Sequence, residues 1–181
     1  MFMNKIQVKD KEFELFINAE TIDNTVSEIA LKLNKDLEGK SPIFLVVLNG
    51  AFIFASDLIR KIKVDCEVSF VKLSSYTGSR STSMVKELLG LNEVLTGRTV
   101  VVIEDIIDTG ITMAFMIAKL REMEAREVKI VTFLFKPEAF TRDFTIDYIG
   151  MEIPNKFIVG YGLDYDGYGR NLPDIYRITS S

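Results

Sequence analysis

The chain has 181 residues, a formal net charge of −4, 48% hydrophobic residues, a single cysteine and neither histidine nor tryptophan. At roughly 150 residues per domain, that length predicts one domain with a full core. The missing histidine excludes Ser-His-Asp and Cys-His nucleophiles and HExxH zinc hydrolysis, and the lone Cys66 excludes an internal disulfide or thiolate zinc site, so proton transfer falls to Asp, Glu, Lys or Tyr and any metal is expected to be oxygen-bound magnesium.

Residues 1–16 (MFMNKIQVKDKEFELF) alternate charged and apolar positions, unlike the apolar stretch of a signal peptide. No apolar run approaches the roughly 20 residues of a membrane span, and the acidic balance argues against a surface that coats nucleic acid. The expectation is a cytoplasmic protein acting on small molecules, with no membrane or nucleic-acid partner; cysteine usage agrees with a reducing compartment.

Ile22, Val26, Ile29, Ala30, Leu33 and Leu37 follow helical spacing, with Gly39 as a stop. The apolar run Ile43–Leu48 (IFLVVL) reads as a strand covered on both faces, and Ala51–Ile62 as a helix. Cys66–Leu73 alternates as a half-buried strand, Thr99–Ile103 is a second apolar run, and Met113, Ile117, Leu120 and Met123 mark a helix before the third run, Lys129–Phe135. Strand and helix in alternation predict an α/β fold, a mainly parallel sheet flanked by helices. The rhythm breaks at both ends, where short pieces such as Lys156–Val159 suggest a small hood. The expected division is a core over about 20–140 and a hood from about 1–19 and 141–181 of one domain.

Open α/β sheets bind ligands beyond the carboxyl ends of their strands. Here those ends deliver Leu48-Asn49-Gly50, Glu104-Asp105, Lys136, and Gly160 followed by Asp164 to one rim. After the second run, Asp108-Thr109-Gly110-Ile111-Thr112 opens a helix, so successive amides, the helix dipole and threonine hydroxyls can surround an anion. No Glu or Gln follows Thr109 by three residues to close a capping box and occupy those amides. An acid pair beside an anion site suits the hydroxyls of a ribose, or magnesium through water. Two fragments with phosphate-loop or dinucleotide character, Gly39-Lys40-Ser41 and Gly160-Tyr161-Gly162, lack the remaining glycines and the helix that such motifs need.

The segment VVIEDIIDTGIT, residues 101–112, resembles the phosphoribosyl-diphosphate signature of the type I phosphoribosyltransferases, and its Glu-Asp order resembles the hypoxanthine-guanine branch. LNGAFIFASDL resembles the family's first loop, SSYTGSRSTS its mobile loop, FKPEA its purine-recognising segment, and Tyr148–Ile175 its carboxyl-terminal segment. The resemblance implies a type I phosphoribosyltransferase fold and transfer of 5-phosphoribosyl from phosphoribosyl diphosphate to a 6-oxopurine base, hypoxanthine or guanine, with Mg2+. A xanthine-preferring member and a non-catalytic, nucleic-acid-binding regulatory relative are the alternatives; Asp108 and the complete base segment favour the enzyme.

By the same resemblance, Glu104 and Asp105 hold the ribose; Asp108, Thr109, Gly110, Ile111 and Thr112 hold the 5-phosphate; and Asp108 is the catalytic base. Lys136, Phe157, Ile158 and Asp164 meet the purine, Leu48, Asn49, Gly50 and Arg170 the diphosphate, and Asp164, Glu104 and Asp105 the metal, while Ser75 and Tyr76 open the mobile loop. Two positions depart from the pattern: Asn49 stands where many members have a basic residue, and Ile111 where lysine is frequent. The family habit implies a homo-oligomer, dimer or tetramer.

Overall fold

The computed structural model describes residues 5–77, 83–89 and 93–179. Its element order is β1 (Lys5–Val8), β2 (Lys11–Ile17), α1 (Ala19–Asp36), β3 (Ile43–Leu48), α2 (Phe52–Ile59), β4 (Glu67–Thr77), β5 (Ser83–Leu89), β6 (Thr99–Ile107), α3 (Ile111–Glu122), β7 (Glu127–Phe135), β8 (Tyr148–Glu152), β9 (Ile158–Val159) and β10 (Ile175–Ile178). The main sheet has six strands in the order β5-β4-β3-β6-β7-β8. All its pairings are parallel except β4–β5.

The apolar runs form the sheet's centre because both of their faces are covered. In β3, Phe44 and Val46 join the core beneath α1 and α2, while Ile43, Leu45 and Val47 join the opposite core beneath α3. Val101 and Ile103 of β6 face the first core, and Val100 and Val102 the second. Fully burying such a side chain contributes roughly 1.5–3 kcal/mol, and this two-sided burial fixes strand register against a one-residue slip. Helix α1 begins where the Asn18 side chain accepts from the Thr21 amide at 2.8 Å, and it buries Ile22, Val26, Ile29, Ala30 and Leu33 on one stripe.

The hood is a four-stranded antiparallel sheet, β1-β2-β10-β9, built from both ends of the chain. Val8, Phe13, Val159 and Tyr176 form its own small core. Two expectations are corrected. Residues 148–152, assigned to the hood, are the parallel edge strand β8 beside β7, where Tyr148 pairs with Val131. The Lys156–Val159 piece shortens to Ile158–Val159 and pairs with β10 in the hood. Asp164 therefore reaches the rim from the hood and not from a strand of the main sheet. The second helix is also shorter than its apolar pattern, ending at Ile59.

Candidate active site

The chain runs outward from β3 to β4 on one side, then returns to lay β6 on the other, so β3 and β6 flank the sheet's topological switch point. Loops leaving adjacent strands there diverge and open a crevice. A cleft of about 450 Å³ lies at this place, lined by Val47, Leu48, Gly50, Leu73, Glu104, Asp105, Ile106, Asp108, Lys136, Phe157, Ile158, Leu163, Asp164 and Arg170. A smaller cavity, which shares Glu104, Ile106 and Asp108, continues to Gly110 and Thr112. The structure thus gathers expected residues from the ends of β3, β6 and β7 and from the hood.

At the end of β6 the chain turns directly into α3. The helix is capped by Gly110 in the left-handed region (φ 78°), with no side-chain hydrogen bond to its first amides. Asp108 instead folds back, its Oδ1 accepting from the Thr109 amide at 2.5 Å and the Thr109 hydroxyl at 3.3 Å. Its Oδ2 has no hydrogen bond among the described residues. The start of α3 therefore combines a helix dipole with uncapped N–H groups, an arrangement suited to an anion.

Glu104 and Asp105 are half-buried at the mouth of this turn. The Asp105 Oδ1 accepts from the Ile106 amide at 2.7 Å, whereas Glu104 Oε2 is buried without a hydrogen-bond partner among the described residues. Burial, and next the Asp105 charge, hold the Glu104 carboxyl well above the ordinary glutamate range. Burial also raises Asp105, against the Ile106 amide and the Arg170 charge. A buried acid with an unmatched oxygen is costly by itself and becomes satisfied once hydroxyls or a hydrated cation reach it.

The hood supplies the other wall. Arg170 donates from Nη1 to the Gly162 carbonyl at 2.6 Å and pairs through Nη2 with Asp164 Oδ1 at 2.6 Å. Asp164 Oδ2 accepts from the Gly167 amide at 2.6 Å. Gly162 lies against the carbonyl of Gly50, locking the hood turn onto the loop after β3, where the Leu48–Asn49 peptide is cis. Asn49 is exposed. Lys136 follows β7, its amide donating to the Ile107 carbonyl at 2.9 Å. Burial lowers its ammonium from the usual lysine value, opposed by Asp108. Phe157 is 47% exposed despite its apolar surroundings, its ring 5.8 Å from Tyr165 and 6.3 Å from Phe13. It is an aromatic face held from behind and presented to the cleft.

The expected metal set is not assembled as drawn from sequence. No group of three or more His, Cys, Asp or Glu side chains among the described residues is placed to hold a metal. Asp164, expected in that set, has both oxygens hydrogen-bonded, by Arg170 and by the Gly167 amide. The all-oxygen character of Glu104 and Asp105, with Glu104 Oε2 unpartnered, still fits magnesium, which keeps most of its ligands as water and substrate oxygens and takes only one or two carboxylates. The backbone of Ser75 and Tyr76 lies in β4, opposite Val85 and Met84. The turn between those strands, residues 78–82, is outside the described residues.

Val47, Leu73, Ile106 and Leu163 also line the cleft without having been singled out in the sequence. Apolar residues of this kind carry no chemical signal, and only their place at strand ends could have marked them.

A switch-point cleft with an uncapped helix start, an acid pair, an arginine–aspartate pair and a lysine beside an aromatic face is suited to a phosphorylated, hydroxylated ligand together with a flat partner. A profile of the phosphoribosyl transferase domain matches residues 18–166. The chain is 37% identical over 174 residues to the hypoxanthine-guanine phosphoribosyltransferase of Aquifex aeolicus (strain VF5), spanning 95% of this chain and 98% of the relative. It is 39% identical over 163 residues to that of Bacillus subtilis (strain 168), spanning 90% and 91%. The crystal structure of a hypoxanthine-guanine phosphoribosyltransferase from Bacillus anthracis, with a HEPES molecule in its active site, matches with a TM-score of 0.86 and 38% identity over 92% of this chain and 97% of that one. The chain belongs to the phosphoribosyltransferase family, on its hypoxanthine-guanine branch.

Proposed function

We propose that the protein transfers the 5-phosphoribosyl group of phosphoribosyl diphosphate to hypoxanthine or guanine, forming IMP or GMP and diphosphate. The observation that carries this reading is the single cleft in which Glu104, Asp105, Asp108, Lys136, Phe157, Ile158, Asp164 and Arg170 converge. In this reading the start of α3, with Thr109, Gly110, Ile111 and Thr112, holds the 5-phosphate, and Glu104 and Asp105 take the ribose hydroxyls. Arg170 and the loop Leu48-Asn49-Gly50 face the diphosphate. Lys136 donates to the purine oxo group, Phe157 stacks on the ring, and the backbone at Ile158 and Asp164 reads its edge.

Loss of diphosphate leaves positive charge on the sugar, so the residues that lower the barrier are those that meet charge as it develops. Arg170 serves the departing anion, and the acid pair lies beside the electron-deficient ribose. Asp108 takes the purine N7 proton through Oδ2, its other oxygen being fixed by Thr109. Magnesium, when bound, neutralises diphosphate charge; Glu104 and Asp105 are the residues that would hold it, through water.

Initial rates of nucleotide formation test the reading, with phosphoribosyl diphosphate, magnesium and each of hypoxanthine, guanine, xanthine and adenine. Turnover of hypoxanthine and guanine with none of adenine supports it. Fastest turnover of xanthine would revise the base, and binding of phosphoribosyl diphosphate without turnover would turn the protein into a ligand sensor.

The same reading places the protein in the cytoplasm as a homo-oligomer without nucleic-acid or membrane partners. The lone cysteine supports the compartment, and among the described residues no helix is long and apolar enough to cross a membrane. Self-association is supported by exposed Phe52, Val68 and Phe70 around one apolar groove of α2 and β4. Sedimentation at a monomer's mass would contradict that part.

A further inference from the structure

We infer that Phe140 and Thr141, which line neither cavity of the site, are positioning residues that set the shape of the anion-binding turn before α3. The inference rests on the proposed reading in taking the ligand of that turn to be the 5-phosphate of phosphoribosyl diphosphate.

The turn has little of its own to hold it. Its cap, Gly110, has no side chain, and Thr109 is bonded only sideways to Asp108 within the loop. Its support comes from the segment that follows Lys136. The Phe140 ring lies directly beneath Gly110: a Cβ at position 110 would sit 2.6 Å from Phe140 Cε2 and 3.0 Å from Arg142 Cγ. Phe140 is fixed in turn, edge to face with Phe135 at 5.3 Å and with Phe144 at 5.1 Å. Beside it, the Thr141 amide and hydroxyl both donate to the Thr109 carbonyl, at 3.4 and 3.3 Å. That carbonyl precedes the helix cap, so these bonds hold the turn from outside the helix.

The supporting segment is itself a tight turn. The Ala139 amide donates to the Lys136 carbonyl at 3.1 Å and the Phe140 amide to the Pro137 carbonyl at 3.3 Å. Lys136 N–H is bonded to Ile107, three residues before Gly110. The two loops therefore run side by side, joined at 107–136 and 109–141, with Phe140 filling the space between them. Shrinking that ring or removing the Thr141 hydroxyl leaves every proposed ligand contact chemically intact while loosening the amides' aim. Preorganised donors lose much of their value when displaced by about an ångström.

The experiment compares wild type with Phe140→Leu, Thr141→Val and Thr141→Ser, measuring KM for phosphoribosyl diphosphate, KM for hypoxanthine, kcat and the thermal midpoint. Phe140→Leu and Thr141→Val are expected to raise KM for phosphoribosyl diphosphate roughly 3- to 10-fold. KM for hypoxanthine should stay within about twofold of wild type, and Thr141→Ser should restore wild-type behaviour, because it keeps the hydroxyl. Calorimetric binding of phosphoribosyl diphosphate should weaken in parallel. Wild-type KM for phosphoribosyl diphosphate in both altered variants would overturn the inference, whatever the thermal midpoint, and so would an equal loss in both KM values and kcat. If Phe140→Leu does not fold, Thr141→Val and its serine counterpart decide alone. A wild-type protein that neither binds nor turns over phosphoribosyl diphosphate would remove the underlying reading and this inference with it; unaltered variants of an active enzyme remove only the inference.

Discussion

Gly50 presses its bare α-carbon against the carboxylate of Asp105: a Cβ at position 50 would lie 1.5 Å from Asp105 Oδ2. Any side chain at position 50 would have to push that carboxylate aside, because the Cβ itself makes the clash. The loop after β3 and the acid pair after β6 meet at this contact, and Gly162 of the hood packs over the Gly50 carbonyl. We expect Gly50→Ala to lower kcat/KM by at least about 100-fold while far-ultraviolet circular dichroism stays native. Steady-state kinetics on the folded variant checks this.

Arg170 bridges the Gly162 carbonyl and Asp164 with separate guanidinium nitrogens. Lysine cannot reproduce that fork. Arg170→Lys is expected to raise KM for phosphoribosyl diphosphate roughly tenfold or more, and product inhibition by diphosphate should weaken in the same variant. Unchanged inhibition would place the diphosphate elsewhere.

Lys136, proposed above to meet the purine, is half-buried, with its ammonium depressed by that burial and opposed by Asp108. Removing a charged donor costs about 1.5–3 kcal/mol, or roughly 10- to 100-fold. Lys136→Met should lose that much kcat/KM with hypoxanthine while calorimetric binding of phosphoribosyl diphosphate remains near wild type. Equal losses on both sides would remove Lys136 from base recognition.

Glu104 makes the free protein's stability depend on pH. Burial and Asp105 raise its folded-state proton affinity above that of the unfolded chain. The folded state therefore holds a proton that the unfolded state has released, and stability falls as pH rises from the ordinary glutamate range through the raised value. Glu104→Gln keeps the shape without the charge. Its thermal midpoint should match wild type near pH 4 and exceed it near pH 8 by about 2–4 °C, with activity reduced. A constant difference across that range would show that ionisation of Glu104 is not responsible.

Asp108→Asn tests the base. General acid–base catalysis supplies roughly 10²- to 10⁴-fold, so kcat with hypoxanthine should fall within that range. Thr109 would keep its side-chain acceptor through the asparagine carbonyl, leaving binding of phosphoribosyl diphosphate little changed. Near wild-type turnover would exclude Asp108 as the base.

The central strands were legible because burial on both faces leaves uninterrupted apolar runs: Ile43–Leu48 is β3 to the residue, and Lys129–Phe135 forms most of β7. The turn from β6 into α3 was legible because its signal is local in sequence, from Asp108 to Thr112. What failed was non-local. The run Tyr148–Glu152 is too short to announce its partner, and only pairing with β7 removes it from the hood. Nor does the sequence show that Asp164 pairs with Arg170 and accepts from the Gly167 amide. Phe140 and Thr141 give no sign in sequence that they lie beneath Gly110 and Thr109.

The most direct measurement follows hypoxanthine, IMP and diphosphate together in one reaction with purified protein, phosphoribosyl diphosphate and magnesium, beside a parallel reaction with adenine. The account predicts that IMP and diphosphate appear in equal amounts as hypoxanthine disappears, and that the adenine reaction yields neither nucleotide nor diphosphate. Diphosphate release without IMP, or nucleotide formation from adenine at a comparable rate, would contradict it.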